Sequence, residues 1–109
     1  MKNLLARLGE QWNPHIEVCG VVLQTGELQV LPNLSPTPSE SFEMDITQAV
    51  GEVVATWHTH PTQGGNLSTP DYLLFLQYPH LWHYVVGGPE TIRAYFVEDS
   101  RVLMYEDPD

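Results

Sequence analysis

Apolar residues recur at two different periods along this chain, and each change of period marks an element. Between Asn3 and Gln11, Leu4, Leu5 and Leu8 stand at helical spacing, which predicts a short amphipathic helix ended by Pro14. Ile16 to Leu23 reads Ile-Glu-Val-Cys-Gly-Val-Val-Leu, a β-rich run expected to be a buried strand but for its one acid, Glu17. Thr25-Gly26 turns the chain back into Leu28–Leu31, a predicted hairpin. Residues 32–41 hold three prolines and no periodicity and read as loop, followed by a short helix expected around Thr47–Val50. Glu52 to His60 is a second β-rich run, ended by Pro61, and Thr62 to Leu67 has the composition of a flexible loop. Ser68-Thr69-Pro70-Asp71 then has the form of a helix start: a hydroxyl cap, proline in the first turn, and an acid near the positive end of the dipole. That helix is predicted to run to about Tyr78, before Pro79, and its apolar character nearly all round predicts burial on several sides. Three further strands are expected near 82–86, 91–97 and 101–105, with turns at Gly87-Gly88-Pro89 and Asp99-Ser100. Strands and helices mix without regular βαβ alternation, so the predicted class is α+β. No internal repeat is visible.

Composition changes this picture little but removes several functions. At 109 residues the chain fits one domain, residues 1–109, and its 42% hydrophobic content with 3 Trp, 5 Tyr and 3 Phe supplies a real core. With 14 Asp and Glu against 4 Lys and Arg, the formal charge is −10. No basic face can be assembled from that, which argues against nucleic acid and against an anionic membrane surface. Basic or polar partner surfaces are favoured instead. One cysteine, Cys19, leaves no internal disulfide and fits a reducing compartment. The N-terminal stretch is too short and interrupted for a signal peptide, and no apolar run approaches the roughly 20 residues that span a bilayer. A cytoplasmic protein is therefore expected.

The chemistry concentrates in His58-Thr59-His60-Pro61, then Ser68-Thr69-Pro70-Asp71. Residues two apart on a strand project to the same face, so His58 and His60 converge. An imidazole pair suits zinc, and a carboxylate is an acceptable third ligand. Asp71 can reach the pair because the Gly64-Gly65 loop lets the chain fold back. Three protein ligands leave a fourth position for water, as in catalytic zinc sites. Taken singly, two histidines at a strand end are a common polar terminus, and an aspartate in a first helical turn is a common dipole partner. The conjunction and its spacing carry the argument.

That conjunction resembles the signature of the JAMM (MPN-plus) metallopeptidases, His-[Ser/Thr]-His-Pro followed after a fixed gap by Ser-x-x-Asp. It is met at His58, Thr59, His60, Pro61, Ser68 and Asp71. The family also has a glutamate on an upstream strand, commonly followed by Cys-Gly, and Glu17-Val18-Cys19-Gly20 supplies it. An acid inside an otherwise apolar run is costly to bury without a purpose, which flags Glu17 independently. Asn33, the Pro-rich loop, Phe42-Glu43-Met44-Asp45 and Gly51-Glu52-Val53-Val54-Ala55 are similar to the JAMM domain of lambda K-like phage tail assembly proteins. There an NlpC-type cysteine peptidase domain usually follows; it is not found within these 109 residues. The resemblance covers roughly residues 14–105 and implies a curved mixed β-sheet flanked by helices.

Chemistry and resemblance together imply the roles. One Zn2+ per chain, held by His58, His60 and Asp71, would bring the pKa of a bound water from 15.7 to roughly 7. Glu17 would act as general base and pass the proton to the leaving amine. Ser68 would steady the oxyanion and cap the helix carrying Asp71. The reaction implied is hydrolysis of a peptide or isopeptide bond in a peptide or protein substrate, such as a ubiquitin-like or sulfur-carrier tail or a phage-related peptide. The alternative is a non-catalytic MPN-type assembly module, for example in a virion tail, though scaffolding members typically lack the ligand set. A zinc deaminase would need a Pro-Cys-x-x-Cys pair, which a single cysteine rules out. His15, His80 and His83 fit no zinc spacing and are expected in surface or core polar roles, His15 with a further option of second contact near Glu17. Cys19 is expected as a small buried residue, Trp57 as core or groove wall, and Glu43 and Asp45 as solvated.

Overall fold

The computed structural model describes residues 2–37, 42–61 and 69–105, with side chains from Leu4 onward and excepting Pro70. Six strands form one sheet: β1 (Cys19–Leu23), β2 (Leu28–Leu31), β3 (Val53–Thr59), β4 (Trp82–Val86), β5 (Ile92–Glu98) and β6 (Arg101–Tyr105), in the order β2-β1-β3-β4-β5-β6. All neighbours run antiparallel except β3 and β4, which are parallel. A parallel pair needs a crossover, and helix α2 (Thr69–Gln77) lies within it. Helix α1 (Lys2–Glu10) precedes the sheet, and Ile46–Gln48 makes one 3₁₀ turn capped by the Asp45 carboxylate. The α+β expectation holds: a six-stranded mixed sheet with two helices.

Alternation along the strands gives the sheet two apolar faces. On one, Leu4 and Leu8 of α1 pack on Val22, Ala55, Trp57 and Val86. On the other, Phe75 of α2 packs on Val85, Tyr95 and Val97, while Met44, Ile46 and Ala49 cover Val21, Leu23 and Leu31. Full burial of side chains such as Leu8, Trp57 and Phe75 stabilises by about 1.5–3 kcal/mol each. Gly20 lets Trp57 lie flat against β1: a Cβ there would come within 2.8 Å of the indole and 2.0 Å of the Gln29 carbonyl. The predicted hairpin forms with Gly26 at φ +90, and β5 and β6 join through Asp99 and Ser100, both at positive φ. That conformation is the one a tight two-residue hairpin turn demands.

Two expectations need correction. The run from Ile16 does not enter the sheet until Cys19, so Glu17 and Val18 lie just ahead of β1. Helix α2 is not buried on several sides, since Tyr72, Leu73 and Leu76 are 44%, 61% and 45% exposed. A nine-residue helix lying on a sheet presents one stripe inward, and Asp71 and Phe75, four apart, occupy it. No described helix is long and apolar enough to cross a membrane.

Candidate metal centre

The three proposed donors converge. His58 is the penultimate residue of β3, His60 follows the strand's end, and Asp71 sits in the first turn of α2. His58 Nε2 and His60 Nε2 lie 3.1 Å apart. Asp71 Oδ1 is 3.1 Å from His58 Nε2, and its Oδ2 is 3.3 Å from His60 Nε2. His58 and Asp71 are 0% and 1% exposed, and the His60 side chain 15%. Two imidazole nitrogens at this separation require a proton or a cation near them. Ligands held about 2.0–2.1 Å from a tetrahedral zinc stand roughly 3.3 Å from one another, so the donor set fits that ion with little adjustment.

Glu17 is 6% exposed, and its carboxylate oxygen lies within 4.8 Å of the donor nitrogens of both His58 and His60. That grouping leaves out Asp71, yet Asp71 makes the shorter contacts. Both acids therefore stand beside the imidazole pair: Asp71 with one oxygen on each ring at 3.1 and 3.3 Å, and Glu17 with its carboxylate within 4.8 Å of both ring nitrogens. Burial pushes the Glu17 carboxyl up to about 7, the nearby His60 opposes this, and Asp71 adds to it. Burial likewise holds His58 below the usual imidazole range. His60 is raised, first by its hydrogen bond to Asp71. Burial thus favours the uncharged, ligating form of His58, whereas the hydrogen bond to Asp71 favours the protonated form of His60.

The main chain around these groups is tied down. Val18 N–H donates to Thr59 Oγ1 at 2.9 Å, and Thr59 N–H donates to the Val18 carbonyl at 2.8 Å. Asn33 Nδ2 donates to the Glu17 carbonyl at 2.8 Å, and Asn33 Oδ1 accepts from the backbone N–H groups of Ser35 and Glu43 at 3.0 and 3.2 Å. Asn33 therefore joins the segment bearing Glu17 to the one bearing Phe42, whose ring stacks on His58 at 4.1 Å between centroids. His58 Nδ1 is buried without a partner among the described residues. Phe42 covers that ring by stacking instead. A groove of about 220 Å³ opens beyond Phe42, lined by Glu43, Met44, Leu73, Leu74 and Gln77. In the sequence, Asn33 and Phe42 stood out only through resemblance; no local pattern announces an asparagine that bridges two loops.

The remaining candidates fall away from the centre. Ser68 lies outside the described residues. His15 and His80 are exposed. His83 is buried and used structurally: Nδ1 pairs with Thr56 Oγ1 at 2.6 Å, Nε2 with the Tyr78 carbonyl at 3.0 Å, and the ring stacks on Phe75 at 4.5 Å. Cys19 is fully buried and its thiol is pushed up to about 12 by burial and then by Glu17, which removes it as a nucleophile. Trp57 is wholly core, and Glu43 and Asp45 are exposed.

The family described as prokaryotic homologs of the JAB domain matches residues 3–98. The chain belongs to this family. Its JAB fold is also similar to the solution structure of protein DSY2949 from Desulfitobacterium hafniense, with a TM-score of 0.64 over 97% of this chain and 85% of that one. At 20% identity that likeness concerns the JAB fold alone. No curated protein matches the chain.

Proposed function

We propose that this JAB domain is a zinc-dependent hydrolase of peptide or isopeptide amide bonds. The observation that carries the reading is the trio of donor pairs at 3.1, 3.1 and 3.3 Å, buried at one end of the sheet with a carboxyl group of raised pKa beside them. His58, His60 and Asp71 would hold the ion. Bound zinc supplies Lewis acidity, which makes water nucleophilic near neutral pH and polarises a carbonyl.

Glu17 does the proton work. Its carboxylate takes a proton from the attacking water as the new C–O bond forms. It then delivers that proton to the leaving nitrogen as the C–N bond breaks, so the group ends as it began. A pKa near the operating pH suits both halves of the cycle. Asn33 and Thr59 hold the two polar ends of the peptide group that joins Glu17 to Val18, which restricts the backbone from which the Glu17 carboxyl reaches the donors. Ser68 is assigned to the oxyanion by its place in the sequence motif. The groove beyond Phe42 suits an apolar substrate side chain, and the chain's charge of −10 favours a substrate tail that is neutral or basic. A ubiquitin-like or sulfur-carrier tail has the required chemistry of a flexible, extended C-terminus.

The test is zinc content per chain together with turnover of linear and isopeptide substrates, before and after chelation and with zinc restored. Wild-type turnover that chelation abolishes and zinc restores, and that Glu17→Gln lacks, is the expected result. Equal turnover by Glu17→Gln removes the general base. Stoichiometric zinc with no turnover on any substrate leaves the assembly-module reading in its place.

A further inference from the structure

The segment that follows helix α1 has no part in the chemistry above, yet it reaches the backbone of His60 through the Trp12 side chain. We propose that Trp12 is a positioning residue of the metal centre: its indole N–H fixes the backbone of His60 and thereby the direction in which His60 presents Nε2. The inference rests on His58, His60 and Asp71 being metal ligands.

Trp12 Nε1 donates to the His60 carbonyl at 2.7 Å, across 48 residues of sequence. His60 needs such an anchor more than the other donors do. It lies beyond the last residue of β3, where the ladder no longer holds both its polar groups. Its N–H still donates to the Val86 carbonyl at 2.9 Å, but on the carbonyl side the chain enters Pro61, which offers no N–H. Its side chain is also the least enclosed of the three, at 15% exposure against 0% and 1%. Packing therefore fixes His58 and Asp71, while the placement of His60 depends on its main chain.

The anchor itself is stiff. Gln11 and Trp12 continue the helical turn of α1 through N–H bonds to the carbonyls of Leu8 and Gly9 at 3.0 and 3.2 Å. Leu4 and Leu8 are buried against the sheet, and Trp12 packs on the same cluster. Gly9 brings the helix backbone against the turn between β4 and β5, where a Cβ would stand 2.1 Å from the Pro89 carbonyl. The end of α1 is thus packed against the turn that follows β4, and β4 also holds the His60 N–H. Both polar groups of the His60 backbone are referred to the same rigid unit.

The test compares zinc affinity, by competition with a chromophoric chelator, in the full chain and two variants at position 12. Trp12→Phe removes the donor and some packing. A chain carrying β-(3-benzothienyl)alanine at position 12 keeps the shape and removes only the N–H. Both are expected to bind zinc about tenfold more weakly, as losses of outer-shell contacts do, and to alter the visible spectrum of the cobalt-loaded protein. Leu5→Ala, which trims the packing of α1 but leaves the Trp12 N–H in place, is expected to lower the melting temperature while weakening zinc binding much less than the loss of that N–H does. Unchanged affinity in the benzothienyl chain, or an equal affinity loss in Leu5→Ala, overturns the role of Trp12 while the metal centre stands. A wild type that takes up no zinc overturns both.

Discussion

Replacing Glu17 by glutamine should make the metal-free protein more stable at alkaline pH, the opposite of what deleting a useful buried contact would do. The Glu17 carboxyl is 6% exposed, and burial, its first cause, raises its pKa from 4.5 to about 7. The folded state therefore holds the proton more tightly than the unfolded chain does. That contribution is fully present below about 4.5 and is lost as pH rises through about 7. By pH 8 the ionised carboxylate costs the fold about 3 kcal/mol at most, and about 2–3 kcal/mol after some relaxation. Glutamine keeps the shape and carries no charge. At 4–8 °C per kcal/mol for a chain of this size, Glu17→Gln should raise the melting temperature at pH 8 by roughly 10–20 °C. The gain should shrink steadily on acidification and vanish near pH 4. Calorimetry of metal-stripped wild type and variant at pH 8, 6 and 4 measures it. A bound cation would stabilise the carboxylate, so zinc-loaded samples should show a smaller difference. A variant that melts at or below wild type at pH 8, or whose advantage is the same at pH 4, refutes the view that Glu17 is held at a cost to the fold. Loss of turnover alongside gained stability would mark the residue as functional.

Zinc affinity should fall about tenfold per pH unit once pH drops below the raised pKa of His60, because one imidazolium proton must leave for each ion bound; chelator competition from pH 8 to 5.5 reads this slope. Asp71→Ala should lower zinc affinity at least 10–100-fold, scored by metal content after dialysis, and uptake equal to wild type would assign the third ligand elsewhere. His83 is held down at about 4, mainly by burial, so the unfolded chain takes up its proton first and stability is lost as pH falls from about 6.5 towards 4. Urea titrations at pH 7.5 and 4.5 should show His83→Leu less stable at neutral pH by about 1–3 kcal/mol, for the Tyr78 carbonyl and Thr56 hydroxyl left unpaired, and less sensitive to acid than wild type. Thr59→Val removes the acceptor for Val18 N–H and should cost about 1–3 kcal/mol by thermal melting, with turnover falling further than zinc affinity because Glu17 loosens.

Much of this was legible from residue order because the signals were short-range. Strand alternation placed His58 and His60 on one face, and both turned out to meet at 3.1 Å. The Gly26 and Asp99-Ser100 turns were likewise written locally. The errors came where tertiary contacts overrule local preference. Ile16 and Val18 have strand-forming side chains, but the ladder begins at Cys19, and Glu17 is held by Asn33 and Thr59 from two distant segments. The nearly all-round apolar character of α2 suggested burial on several sides, but hydrophobicity alone cannot say how much covering the rest of the fold provides, and Leu73 is 61% exposed. Trp12 was silent because nothing in Gln-Trp-Asn-Pro points to a carbonyl 48 residues away.

What brings Glu17 to the imidazole pair is register, and this links the candidate site to the sheet. β1 pairs antiparallel with β3 so that Cys19 faces His58, and continuing the count puts Glu17 opposite His60. The start of β1 therefore lies at the same end of the sheet as the end of β3, and the crossover that leaves that end carries Asp71. A slip of one residue between β1 and β3 would turn Glu17 towards the face occupied by Trp57 and α1, and no side-chain rotation could recover it. Gly20 guards against that slip. A Cβ at the position under Trp57 would clash with the indole, so a slip of one residue would drive Cys19 or Val21 into it. The glycine after Cys19 therefore favours the pairing in which a buried carboxyl and two imidazoles face the same point.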